Sequence, residues 1–195
     1  MNVIVDTGCA NLASLANAVK RLGGSPVVSR DAATIRAARR VFLPGVGTAG
    51  AAMAALEQSG LDQLLPTLTQ PVLGICLGMQ LLTRFSEESA RPCLGLLDDA
   101  VLPLEAPRLP HMGWNRLTAI APHPLLAGIG EQDWFYFVHS FAAPPGRNSL
   151  ALCQHGQPFS AVLGKGNFLG CQFHPERSGR SGAKLLKNFL EKDPC

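Results

Sequence analysis

Short apolar runs alternate with amphipathic stretches through the N-terminal half of the chain. Val3–Val5 reads as a buried strand, and Leu12, Leu15, Ala16, Val19 and Leu22 then recur at helical spacing, closed by Gly23-Gly24. Val27-Val28 is strand-like, and Asp31 is placed to cap a helix running through about Ala38. Val41-Phe42-Leu43 predicts a third strand that ends at Pro44-Gly45-Val46-Gly47. Ala51, Met53, Ala54 and Leu56 predict a helix, Leu61–Leu68 another, and Pro71–Ile75 a further strand. Strands alternating with helices in this way predict right-handed βαβ units and a largely parallel sheet covered on both faces.

Past Leu94 the pattern changes. Ala100–Leu104, Trp114–Leu117, Trp134–Phe141, Leu150–Gln154, Phe159–Leu163 and Asn167–Phe173 are short β-like runs separated by Pro and Gly. They predict hairpins or mixed strands at one side of the sheet. Gly182–Leu190, with Leu185, Leu186, Phe189 and Leu190, reads as a closing helix. Neither a repeat nor a linker interrupts the chain. The expectation is one three-layer α/β domain over residues 1–195, its C-terminal part mixed or antiparallel.

Composition narrows the function classes. Of the 195 residues 47% are hydrophobic and 16% charged. That charge fraction is below the roughly 25% usual for soluble domains, so part of the surface is expected to meet a partner. A net charge of +3, with the basic residues scattered, argues against nucleic acid; a solvated strand edge is the expected setting for the adjacent pair Arg39-Arg40. The apolar start is broken at Asp6, unlike a signal peptide, and no run approaches the ~18 apolar residues of a membrane span. The six cysteines form no C-x-x-C pair and are expected to be reduced thiols in a cytoplasmic setting. A metal is not expected: Cys171 and His174, three apart in a strand, point to opposite faces.

The chemistry concentrates at Gly74-Ile75-Cys76-Leu77-Gly78, directly between an apolar strand and an amphipathic stretch. This is a G-x-C-x-G nucleophile elbow. A strand running straight into a helix turns tightly, and the flanking glycines remove β-carbons that would clash. The turn raises the sulfur to a helix N-terminus, where N–H groups and the dipole favour a thiolate. His174-Pro175-Glu176 follows the last apolar strand. Proline holds His174 extended, and residues two apart in extended chain project the same way, so Glu176 can orient the imidazole. The Leu77 amide and a peptide plane in Pro44-Gly45-Val46-Gly47, which leaves the neighbouring strand at the same sheet edge, supply candidate oxyanion donors.

Together with these features, Asp6-Thr7-Gly8-Cys9-Ala10-Asn11-Leu12, Leu109-Pro110-His111-Met112-Gly113-Trp114-Asn115, Tyr136-Phe137-Val138-His139-Ser140-Phe141 and Gly170–Gly179 carry a resemblance over the whole chain. The chain resembles the class I (triad) glutamine amidotransferases. The resemblance implies Cys76 as the thioester-forming nucleophile, His174 as its base and later acid, and Glu176 as the orienting residue. It implies an oxyanion hole from Leu77, Val46 and Gly47. Gly45, Gln80, Glu88 and the segment His139-Ser140-Phe141 fall where the family binds glutamine, Glu88 suiting its ammonium group. Phe141 departs from a tyrosine often found there. Asn11 and Trp114 match interface positions, although tryptophan in a short strand commonly fills core; His111 and Met112 fit either role, and His123 and His155 carry no assigned role.

The resemblance further implies L-glutamine as substrate, no cofactor, and a heterodimer with a cyclase subunit built on a (β/α)8 barrel that receives the ammonia. Service to another synthase (anthranilate, aminodeoxychorismate or guanylate), a partner-binding subunit without catalysis, and a stand-alone amide hydrolase remain alternatives at this level.

Overall fold

The structure, a computed structural model, describes residues 1–8 and 12–193. The predicted alternation is present. It runs β1 (Asn2–Val5), α1 (Leu12–Arg21), β2 (Pro26–Ser29), α2 (Ala32–Arg36), β3 (Arg40–Gly45), α3 (Ala49–Gln58), α4 (Leu61–Leu64), β4 (Val72–Cys76) and α5 (Leu77–Leu82). Asp31 caps α2 by accepting from Thr34 N at 2.8 Å, and the helix stops at Arg36, two residues short of expectation. The predicted helix over Leu61–Leu68 is instead α4 followed by a 3₁₀ turn, Leu65–Thr67, because Pro66 cannot supply an amide to continue an α-helix.

The C-terminal half adds β5 (Thr83–Ser86), β6 (Arg91–Pro92), β7 (Leu97–Pro103), β8 (His111–Arg116), β9 (Trp134–His139), β10 (Phe141–Ala142), β11 (Ser149–His155), β12 (Gln157–Lys165), β13 (Phe168–Cys171) and α6 (Gly179–Glu191). The main sheet has seven strands in the order β11-β12-β13-β4-β3-β1-β2. From β2 to β13 neighbouring strands are parallel, and β12 and β11 close that side antiparallel. A four-stranded sheet β10-β7-β5-β6 and the hairpin β8-β9 sit beside it. The single run expected over Trp134–Phe141 breaks at Ser140, so β9 pairs with β8 while β10 joins β7.

Alternate residues of the parallel strands feed two cores. Ile4, Phe42, Leu73 and Ile75 meet Leu15 and Val19 of α1 and Leu185, Leu186 and Phe189 of α6. Val3, Val5, Val41, Leu43 and Val72 meet Ile35, Met53, Leu56, Leu61 and Leu64 on the other face. Burial on both faces is why these strands read as continuous apolar runs. The fold is a flavodoxin-like three-layer arrangement, a largely parallel sheet with helices packed on both faces.

Arg40 corrects one expectation. Its strand is interior to the sheet, and the side chain is buried rather than solvated. It donates to the Lys192 carbonyl at 3.1 Å and to Asp193 Oδ1 at 2.9 Å, with its guanidinium 5.9 Å from the Phe189 ring centre. Arg40 therefore ties the C-terminal segment to the sheet, while Arg39 is exposed as expected. No helix among the described residues is long and apolar enough to cross a membrane.

Candidate active site

β3 and β4 pair in register so that Gly45 lies beside Cys76, and β13 ends alongside them with Cys171 opposite Ile75. The chain exits of three parallel strands thus converge at one sheet edge, where α/β folds place their ligands. Cys76 is the last residue of β4 and the cap of α5, with φ 54° and ψ −113°. A non-glycine residue held there costs about 1–3 kcal/mol, a strain borne by the packing around it. That packing has almost no tolerance. A β-carbon on Gly74 would lie 2.6 Å from the Gly78 carbonyl oxygen, and one on Gly78 would overlap the Leu43 carbonyl oxygen. One on Gly170 would overlap Met79, so three glycines let α5 press onto β3, β4 and β13.

His174 has an extended backbone, φ −96° and ψ 97°, and leads into a 3₁₀ turn over Pro175–Arg177. Two latches hold this corner on β9: His174 N donates to the Tyr136 carbonyl at 2.9 Å, and Ser178 Oγ accepts from Tyr136 N at 2.9 Å. Ser178 Oγ also donates to the His174 carbonyl at 2.6 Å. His174 Nδ1 lies 2.9 Å from Glu176 Oε1, both side chains being buried, and the imidazole lines the same cavity as the Cys76 side chain. Burial alone would push the imidazole pKa down, but its hydrogen bonds with Cys76 and Glu176, and their charges, outweigh that and raise it to about 10. A carboxylate at Nδ1 leaves Nε2 for the sulfur.

The cleft beside this trio is a cavity of about 340 Å³. Cys76, Leu77, His174, Val46 and Gly47 line it, as do Gln80, Glu88, His139, Ser140 and Phe141. The expected substrate-binding residues are therefore brought together, with one difference. Gly45 lines an adjoining cavity of about 130 Å³, together with Glu176 and Arg177, and is absent from the larger one. Val46, Val138 and His174 border both cavities. Glu88 accepts from Ala49 N at 2.6 Å, which docks its carboxylate on the first turn of α3. Gly47 has φ 94°, a conformation glycine adopts without strain.

Trp114 is 53% exposed on β8 and Met112 63% exposed on the same strand, outside the cavity. The core reading of Trp114 is thereby excluded. Asn11 lies outside the described residues. His111 is buried, packed flat on Phe137, and His155 stacks on its other side with ring centres 4.2 Å apart. His123 accepts from Leu125 N at 3.1 Å and caps a 3₁₀ turn, so it too has a structural task. Among the described residues no cluster of His, Cys, Asp and Glu could hold a metal ion.

Sequence reasoning missed Val138 and Gln172. The Val138 carbonyl accepts from Cys76 Sγ at 3.8 Å, and Gln172 Nε2 donates to the same sulfur at 3.8 Å. Gln172 left a trace: it is the one polar side chain in the run Phe168–Phe173, two positions before His174.

Residues 3–192 match the family model described as glutamine amidotransferase class-I. The chain belongs to that family. Among its relatives, the imidazole glycerol phosphate synthase subunit HisH of Pectobacterium atrosepticum is 55% identical, covering 97% of this chain and 98% of that protein. The HisH subunit of Colwellia psychrerythraea is 50% identical, covering 98% of this chain and 93% of that protein. A solved glutamine amidotransferase structure superposes with a TM-score of 0.76 at 20% identity, covering 97% of each chain.

Proposed function

We propose that this chain is the glutaminase subunit of an imidazole glycerol phosphate synthase, a cytoplasmic enzyme of histidine biosynthesis. The observation that carries the reaction chemistry is the Cys76 sulfur at a strained elbow, sharing a cavity of about 340 Å³ with an imidazole whose Nδ1 lies 2.9 Å from Glu176.

In this reading Cys76 Sγ adds to the side-chain carbonyl carbon of glutamine. The sulfur's proton passes to His174 and from there to the leaving nitrogen. The C–N bond breaks, ammonia departs, and a thioester remains. Water, deprotonated by His174, then adds to the thioester carbon and releases glutamate and the thiol. Glu176 holds the ring and its charge. Leu77 and the Val46–Gly47 peptide donate to the oxyanion, Gln80, Glu88 and the His139–Phe141 backbone hold glutamine, and Gly45 shapes the adjoining strand.

Ammonia released into water would be protonated and lost as a nucleophile, so the product needs a sealed route. The acceptor in this reading is a (β/α)8-barrel cyclase subunit that covers the exposed Met112–Trp114 face. Such a partner, with its nucleotide, would select one orientation of the Val46–Gly47 plane and raise kcat more than it lowers KM, because an oxyanion donor acts mainly in the transition state.

The test is glutamate release by the chain alone, with cyclase, and with cyclase plus nucleotide. Stimulation by this cyclase and loss of turnover in Cys76→Ser support the reading. Equal stimulation by an anthranilate synthase acceptor, or full turnover in Cys76→Ser, contradicts it.

A further inference from the structure

One backbone carbonyl, that of Phe141, fixes the polarity of a buried hydrogen-bond chain that ends on the Cys76 sulfur. A carbonyl oxygen only accepts, and it has two lone pairs. Gln80 Nε2 lies 2.9 Å from it and His139 Nδ1 also 2.9 Å, so both must be donors. Gln80 Nε2 is also 3.0 Å from the Gln172 side chain. Since the Gln80 amino group must face Phe141, Gln172 must present its oxygen to Gln80, and its own amino group is left pointing at Cys76 Sγ, 3.8 Å away. The assignment of amide ends, ordinarily ambiguous, is forced here by that carbonyl.

The second arm is equally determined. With Nδ1 protonated toward Phe141, neutral His139 accepts at Nε2, so His111 Nδ1, 2.9 Å away, donates. His111 Nε2 is then an acceptor and takes the Asn115 amide at 3.2 Å. Every member of the chain has a partner, and Gln172 is fully buried. A buried amide this constrained cannot turn to offer an oxygen to the sulfur without leaving two donors face to face at Gln80.

We propose that Gln172 is a positioning residue for Cys76: its amide N–H, aimed by Gln80 and the Phe141 carbonyl, holds the sulfur and favours its thiolate form. The role rests on the reading of Cys76 as nucleophile. Three groups surround the sulfur and divide the work. Val138 O accepts from the thiol, His174 exchanges the proton, and Gln172 donates to the sulfur once the proton has gone.

The test follows the rate of Cys76 alkylation by iodoacetamide against pH, read by peptide mass mapping in the full chain. Gln172→Met keeps the length and removes the donor; its profile should move to higher pH by about one unit. Gln172→Glu keeps the oxygen facing Gln80 but turns a second oxygen to the sulfur, and its profile should move at least as far. For either variant kcat for glutamine should fall about tenfold, with KM within about twofold. Folded variants whose alkylation profiles coincide with the wild type would overturn the proposal. Should both variants fail to fold, the side-chain amide resonances of Gln172 in the wild-type chain decide: they should shift when Cys76 is alkylated, and an unmoved resonance would equally overturn it. Because alkylation reads the sulfur itself, failure here is distinct from failure of the nucleophile reading, which would appear as turnover surviving in Cys76→Ser.

Discussion

Gly78 sits so close to Leu43 that a β-carbon on the first would overlap the carbonyl oxygen of the second. The first turn of α5 is thus pressed onto β3, and the Cys76 elbow depends on that contact. Gly78→Ala should destabilise the fold by more than about 3 kcal/mol, because the obstacle is a sheet backbone that cannot yield. Gly130→Ala serves as control, having nothing within 4 Å and no left-handed φ. Urea unfolding midpoints should fall sharply for the first and stay near wild type for the second.

The members of the Cys76–His174–Glu176 trio should differ in cost. Cys76→Ser and His174→Ala each remove a group that moves a proton or bonds to carbon, so kcat should drop by about a thousandfold or more. Glu176→Gln keeps the shape and misorients the ring, and should cost less. Steady-state glutamate release in partner-saturated conditions checks the order. A Glu176→Gln loss as deep as that of His174→Ala, in a folded protein, would assign Glu176 more than an orienting role.

Stability should decline on both sides of a maximum near neutral pH. Burial lowers the His111 pKa to about 4, helped by the charge of His155. Burial lowers that of His139 to about 3, against its bond to Phe141, with His111, His155 and His174 facing it. Between these values and the ordinary 6.5 the unfolded chain binds more protons, so stability rises with pH and is lost on acidification. His174 has the opposite sign: raised to about 10, it contributes stability that is complete below 6.5 and disappears as pH climbs through 10. Thermal midpoints across pH should show both limbs. His111→Gln should flatten the acid limb, and Cys76→Ala, which removes the side chain that with Glu176 raises the His174 pKa, should flatten the alkaline one.

Truncating the exposed β8 face should affect association and not folding. Trp114 is half exposed and touches Tyr136 edge-on at 5.9 Å, so Trp114→Ala should change stability by under about 1 kcal/mol. In the proposed heterodimer the same change should weaken cyclase binding more than tenfold, as expected of a central aromatic anchor. Titration calorimetry with the purified cyclase measures it.

How much of this was legible in the chain follows from the physics of each part. The parallel core announced itself because strands buried on two faces are apolar throughout, and Asp31 and the elbow glycines mark turns by local chemistry. His174 and Glu176 were readable because they are two apart in extended chain. The short strands Thr83–Ser86 and Arg91–Pro92 were not, since their pairing is set by contacts distant in sequence. Arg40 misled for a similar reason: its partners, Lys192 and Asp193, lie at the far end of the chain. Gln172 and the histidine pair owe their meaning to hydrogen bonds across elements, which spacing alone does not reveal.

The central claim is that one cysteine forms the thioester. Burial pushes the Cys93 thiol up to about 11 and that of Cys153 to about 12, and raises Cys171 well above its ordinary value, so these three should be unreactive. The most direct measurement treats the partner-bound chain with a glutamine analogue bearing an electrophile and maps the adduct by peptide mass. The account predicts one label per chain, on Cys76, with loss of glutamate release in step with labelling. A label chiefly on any other cysteine, or activity that survives full labelling of Cys76, would contradict it.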